Sequence, residues 1–422
     1  MDKTNPKKRR GRRRKEEKVE VIEISQKPLT SRLAHPKKPE LPETPKPVIS
    51  PEPLPRYNLE RIMPYKPGKP IEAVARELKL TGRIIKLASN ENPLGPSPRA
   101  LYAIKKFAHE VNLYPDDNGF YLKEKIAQKH DVPIDHIIIG NGSVELIYFA
   151  CLAFLNPYDR LMRSAGSFLM PKIGADIIGA ACQEIELRDY YDNMGREVRC
   201  HDLNKMLAAI TPQTKIIYLD NPINPLGSCV WAKELDEFIE QVPNYVLVII
   251  DEAYYDYITE KDYPDSLKYL QAGKNVLILR TFSKIYGLAG LRIGYGISKP
   301  EIISAMSKVR TPFNVSRLAQ IAAIAALDDK NHIKRSRRLN EAGKKYLYRE
   351  LKKLNIFYFP TYANFIFVNF PIDSKEIFEQ LQQRKIITRT IKEYGFPNAL
   401  RISIGTMAEN RMLIKALQEI LS

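Results

Sequence analysis

Between residues 137 and 279 the chain alternates short, nearly continuous apolar runs with longer amphipathic stretches. The runs are residues 137–139 (III), 215–219 (KIIYL), 245–250 (YVLVII) and 276–279 (VLIL). They are apolar along their length rather than at every second position, so they need cover on both faces. Amphipathic stretches such as 232–242 read as the helices that give this cover. The pattern predicts an α/β fold with a mostly parallel sheet between helices. From about residue 299 it changes to helical stretches at 318–327 and 333–354. Strand-like runs follow at 364–368 and 400–404, then a helix over 408–421. That change predicts a second, smaller α+β domain. A chain of 422 residues, 44% hydrophobic, has enough material for two cores.

The beginning of the chain cannot contribute to either core. Nine of the first fifteen residues are Lys or Arg, and they account for much of the net charge of +17. Such a block repels itself and is expected to stay solvated. It could contact nucleic acid through counterion release, but it carries no interleaved aromatics to stack bases. A solvated tail is the favoured reading. Prolines then recur every two to four residues from Pro36 to Pro55, the mark of an extended linker. No apolar run is long enough to span a bilayer, and no apolar signal segment opens the chain. Cys151, Cys182, Cys200 and Cys229 are scattered without CxxC pairing, which argues against a zinc site or a disulfide scaffold and fits a reducing cytoplasm.

Ligands of open α/β sheets collect where strands end, so the residues after each run carry the functional argument. After 245–250 come Asp251, Glu252, Ala253 and Tyr254. A carboxylate there is costly unless a cation meets it, and a protonated pyridine nitrogen is one such cation. An Asp capping the next turn is the plainer reading of Asp251 alone. After 276–279 comes RTFSKIYGLAGLR, with Lys284 beside Ser283, two glycines, and Arg292 eight positions on. A desolvated amine near cations has a lowered pKa and can attack a carbonyl, while Ser283 and Arg292 can hold a phosphate. After 137–139 comes Gly140-Asn141-Gly142-Ser143-Val144, a glycine turn into a helix start that can present N–H groups to an anion. After 215–219 comes DNPINPLG, where two prolines and a glycine fix a loop and Asn224 can aim its amide at a ring oxygen. Each signal is modest alone. Their joint order is more specific.

That order resembles the fold-type I pyridoxal-phosphate enzymes, and within them the histidinol-phosphate aminotransferase family. The resemblance runs from about Tyr57 to the end of the chain. It rests on residues 64–70 (PYKPGKP), 87–93 (LASNENP), 114–116 (YPD), 281–295, 311–315 (TPFNV) and 394–406 (YGFPNALRISIGT). It implies a large domain with a mostly parallel seven-stranded sheet over residues 87–300 and a smaller α+β domain over 301–422. Residues 57–86 are then an N-terminal arm that begins the small domain, and 1–56 an extension. It implies pyridoxal 5′-phosphate carried by Lys284 as a Schiff base, Asp251 on the pyridine nitrogen, and Tyr254 and Asn224 on the ring oxygen. Phe168 stacks on the ring, and Ser143, Val144, Ser283 and Arg292 hold the phosphate. Tyr114 reaches the phosphate from a second subunit, so the resemblance implies a cytoplasmic homodimer with shared sites. Arg401, helped by Arg389, receives the substrate's carboxylate or phosphate, with Tyr65, Asn90 and Asn364 on the substrate side. The implied reaction is transamination between L-histidinol phosphate and 2-oxoglutarate, a step of histidine biosynthesis. Aromatic-amino-acid aminotransferases and threonine-phosphate decarboxylases are the rivals on the same scaffold.

This sequence departs from the family pattern in places. Ile223 and Leu226 stand where Asn and Thr are usual, and Leu169 and Pro171 replace more polar and aromatic residues after the stacking ring. Leu169 and Pro171 are expected on the substrate side, and the contacting Asn224 is kept.

Overall fold

The computed structural model describes residues 54–64, 70–191 and 195–421. Its main sheet has seven strands: β1 (Ile137–Gly140), β2 (Arg160–Ser164), β3 (Ala181–Ile185), β4 (Thr214–Asp220), β5 (Leu247–Asp251), β6 (Val276–Thr281) and β7 (Gly294–Ile297). Their order is β1-β7-β6-β5-β4-β2-β3. From β3 to β6 neighbouring strands are parallel, and β7 alone runs antiparallel, between β6 and β1. The continuous apolar runs divide between two cores by alternation. Ile217, Leu219, Val248, Ile250, Val276 and Ile278 enter one. Ile216, Tyr218, Leu247, Ile249, Leu277 and Leu279 enter the other. Both faces are therefore dry, as such runs require.

Three of these strands escape a reading by apolar runs. Strand β2 (RLMRS) has charge in its interior, yet Arg163 is fully buried and pairs with Glu184 on β3. Strand β3 carries Gln183 and Glu184, and β7 (GYGI) is half glycine. The glycine at Gly294 answers a spatial need. A Cβ there would lie 2.7 Å from the Ser143 nitrogen and 3.0 Å from the Arg280 carbonyl oxygen. Only glycine lets the helix Ser143–Phe154 start this close to the sheet.

A second sheet, β8 (Phe357–Tyr358), β9 (Phe365–Asn369), β10 (Arg389–Ile391) and β11 (Phe396–Ser403), is antiparallel in the order β8-β9-β11-β10. The helices Lys330–Lys353, Ser374–Gln383 and Met407–Leu421 share an apolar core with it. Ile85 and Leu87 join that core, and the short strand Ile85–Lys86 pairs in parallel with Ile386–Ile387. The helices expected over 318–327, 333–354 and 408–421 begin one to three residues earlier, at Arg317, Lys330 and Met407. For the first two, Ser316 and Asp329 explain the earlier start: their side chains accept backbone N–H bonds from Ala319 and His332 as N-caps. Among the described residues, no helix is long and apolar enough to cross a membrane. The basic block and nearly all of the proline-rich stretch lie outside the described residues.

Candidate active site

The ends of β4, β5 and β6 and the start of the Ser143–Phe154 helix open onto one cavity of about 400 Å3. The small sheet supplies another of its walls through Arg389 and Arg401. Lys284 lies three residues past the end of β6, and its amine donates to the Ser89 carbonyl at 3.1 Å. Desolvation, then the charge of Arg401, pulls its pKa down from 10.5 to about 7. A large share of the amine is therefore neutral and nucleophilic near neutral pH.

Strands β4 and β5 end level, with Asp220 and Asp251 as register partners. Asp251 accepts from the Tyr218 hydroxyl at 2.8 Å and from the Ala253 N–H at 3.1 Å. Burial first, with Asp220 adding like charge, raises its pKa to about 7. Such a carboxylate favours a cation beside it. Asp220 Oδ2 accepts from the N–H groups of Phe168 at 3.2 Å and Asn224 at 2.8 Å. Both of those side chains face the cavity.

Tyr254 is buried, and burial raises its pKa to about 12, so it stays protonated. Its oxygen accepts from Asn90 Nδ2 at 2.9 Å, so its own proton can turn into the cavity. Asn90 sits in the left-handed region (φ 57°) and is fixed by Ser403 Oγ, which accepts from its N–H at 2.8 Å. Arg401 Nη1 donates to Asn224 Oδ1 at 2.8 Å, and Nη2 donates to the Ala88 carbonyl at 2.6 Å. Arginine has only donors, so this contact turns the Asn224 amide nitrogen away from Arg401. Arg389 and Arg401 are direct cross-strand partners and project on the same face of the sheet. Arg389 is ion-paired with Glu393.

At the opposite end, Ser143 and Val144 open their helix without a side-chain cap, which leaves first-turn N–H groups facing the cavity. Arg292 bends over them. A Cβ on Gly142 would lie 2.4 Å from Arg292 Nη2, and Arg292 Nη1 lies 3.4 Å from Ser283 Oγ. Helix-start amides, a hydroxyl and a guanidinium make an anion cradle. A lysine amine of lowered pKa, a buried carboxylate, a phenol and this cradle fit pyridoxal 5′-phosphate at each of its polar ends. Among the described residues, no cluster of three His, Cys, Asp or Glu could hold a metal ion.

Of the described residues expected at the site, all but two line this cavity. Asn364 stands behind it, donating from Nδ2 to the Asn90 carbonyl at 3.0 Å. Tyr114 is 79% exposed, on a separate surface groove, where it stacks on Phe313 at 4.6 Å. Tyr65 lies outside the described residues. The expectation that Leu169 and Pro171 face the substrate is corrected. Ile223 and Leu226 are fully buried against Phe359, Phe367 and Tyr394, Leu169 packs on the same cluster, and Pro171 is buried in the first turn of the helix Met170–Ile178. Sequence reading gave no role to Asp220, Tyr218, Lys86 or Glu91, all of which line the cavity. Lys86 Nζ lies 2.7 Å from Glu91 Oε1. Asp220 sits at a strand end like Asp251, and that position was the available signal.

Residues 82–417 match the family described as aminotransferase class I and II. A histidinol-phosphate aminotransferase of Moorella thermoacetica is 48% identical over 362 residues, covering 86% of this chain and 91% of that protein. One from a Geobacillus species is 44% identical over 366 residues, covering 87% and 98%. Among solved structures, histidinol-phosphate aminotransferase from Sinorhizobium meliloti in complex with pyridoxal-5′-phosphate matches with a TM-score of 0.77. Its identity is 28%, covering 86% of this chain and 96% of that one.

Proposed function

This chain belongs to the aminotransferase class I and II family, among the histidinol-phosphate aminotransferases, and on that premise we propose that it transfers an amino group between L-histidinol phosphate and 2-oxoglutarate. Its cofactor is pyridoxal 5′-phosphate. One observation carries this reading: the depressed lysine amine, the buried carboxylate and the anion cradle open onto a single cavity.

Bound pyridoxal phosphate supplies an electron sink for the bond broken at the substrate's Cα. The chain's own residues do the rest. Lys284 would hold the cofactor through its amine, and the amine freed when substrate takes its place would accept the proton from the substrate's Cα. Asp251 keeps the ring nitrogen protonated. Tyr254 and the Asn224 amide donate to the ring oxygen, and Phe168 covers a ring face. Ser143, Val144, Ser283 and Arg292 hold the phosphate. Arg401 and Arg389 receive the second anion, which is a carboxylate on glutamate and a phosphate on histidinol phosphate. A guanidinium fork suits both. Asn90 lines the substrate side, with Asn364 behind it and Tyr65 added from the preceding arm.

The site is shared within a cytoplasmic homodimer in this reading. Tyr114 lies beside the exposed Val111 and Leu113, and such a patch on a groove suits a partner subunit. Half-reactions with histidinol phosphate, phenylalanine and tyrosine, followed through cofactor absorbance, test the substrate. Conversion by histidinol phosphate in preference to both is expected. Preference for an aromatic amino acid overturns the substrate and leaves the cofactor site standing.

A further inference from the structure

Asp220 is an expensive residue to keep where it is. It is 4% exposed at the end of β4, beside the acidic Asp251 on β5, and burial raises its pKa to about 6. Its surroundings show what it does there. Oδ2 accepts two backbone N–H groups from two different connections: Phe168, four residues past β2, and Asn224, four residues past β4. Oδ1 is buried without a hydrogen bond, 3.5 Å from His201 Nε2. His201 is itself fixed. Its Nε2 is 3.0 Å from the Asp220 carbonyl oxygen and its Nδ1 is 2.7 Å from Ser164 Oγ. Burial holds the imidazole neutral, so Nε2 carries the proton given to the carbonyl and Nδ1 accepts from Ser164. His201 thus braces the backbone of Asp220, while the carboxylate's Oδ2 is used in front.

We propose that Asp220 is a positioning residue: by gathering the Phe168 and Asn224 N–H groups on one carboxylate oxygen, it sets the ring-stacking side chain and the ring-oxygen amide relative to each other. Through the Asn224–Arg401 contact it also links the cofactor's seat to the receptor for the substrate anion. The two N–H groups belong to residues 56 positions apart, and no strand pairing joins their loops at this point. A single acceptor common to both gives one geometry where two separate acceptors would allow two. This inference rests on the proposed placement of pyridoxal phosphate between Phe168 and Asn224.

The test uses the full-length protein loaded with pyridoxal 5′-phosphate. The wild type is read first. If it carries no cofactor bound covalently to Lys284, the proposed function itself fails, whatever Asp220 does. With a loaded wild type, D220A is expected to weaken cofactor binding about tenfold and lower kcat/KM about 100-fold. It is also expected to raise the midpoint of the bound cofactor's absorbance titration by about one pH unit. A ring oxygen that loses its donor holds more negative charge and keeps the neighbouring proton longer. D220N, whose amide oxygen can still accept both N–H groups, recovers most of each loss. An unmoved titration in D220A overturns the proposal, and so does a loss in D220N as large as in D220A, because the charge alone would then be responsible. Should D220A not fold, D220S, whose hydroxyl falls short of both N–H groups, takes its place with the same two readings.

Discussion

The two ends of the cavity are held in different ways. The ring end is built from the main sheet. Asp251 and Asp220 are fixed by strand register, by backbone N–H groups and by Tyr218, all buried. At the anion end the side chains are cationic, and their partners are mostly other side chains. Arg401 holds Asn224 and the Ala88 carbonyl, Arg389 holds Glu393, and Lys86 holds Glu91. Arg401 Nε is buried without a hydrogen bond. The first end presents one fixed acid pattern. The second presents cations whose partners a substrate anion can replace or supplement. One site can then keep its chemistry constant while it accepts a carboxylate and a phosphate in turn.

Substitutions can break or sharpen this contrast. The largest effect is expected at Lys284→Ala, with kcat down about 10⁴-fold or more. Mass spectrometry after borohydride treatment should find no cofactor fixed to the protein, and an adduct retained in this variant would remove the central assignment. Asp251→Ala should lower kcat about 10³-fold for every amino donor alike, since its proposed partner is the ring and not the substrate. Arg401→Ala should lower kcat/KM about 100-fold in both half-reactions, mainly through KM, and lysine should restore little of it because it has no fork. A kcat loss at Arg401 as deep as at Asp251 would erase the distinction between the ends.

In cofactor-free protein the neutral Lys284 amine predominates above pH 7, because its pKa is depressed to about 7. The rate of cofactor attachment, followed by absorbance, should therefore rise about tenfold per pH unit below 7 and level off above it. A rise that continues to pH 10 would show an unperturbed lysine. The smallest effect is expected at Glu91→Gln. Freeing Lys86 should lower KM for the phosphate substrate about threefold, as suits a pair open to solvent. No change in KM would exclude Lys86 from the anion end.

Much of the ring end was legible in the sequence. Lys284, Asp251 and Ser283 each follow an apolar run closely enough that strand ends alone point to them, and the cradle follows from glycines before a helix. The anion end was legible only through resemblance to a family. Arg389 and Arg401 become neighbours by pairing across the small sheet, which no spacing announces. Asp220 was in view at a strand end but had no visible role, because one of its partners is the N–H of a residue 52 positions earlier. Strands β2 and β7 were missed because Arg163 is paid for by Glu184 on the next strand and Gly294 by a helix it must not touch. Both reasons are tertiary. Leu169 and Pro171 were sent to the wrong side, and Ile223 and Leu226 were noticed only as departures, since an apolar residue in a loop does not say which apolar surface it meets.

The apolar seat under that loop bears on how such enzymes can be recombined. Ile223 and Leu226 meet Phe359, Phe367, Ile391 and Tyr394, so the loop that carries Asn224 and the sheet that carries Arg401 share one buried surface. The C-terminal portion is therefore not an interchangeable cassette. A chimaera that imports residues 355–404 from a relative with Asn and Thr opposite would set foreign side chains against this seat. One that imports residues 221–227 as well keeps the match. The melting temperatures of the two hybrids should differ in favour of the second, and equal values would show that the pieces can be exchanged separately.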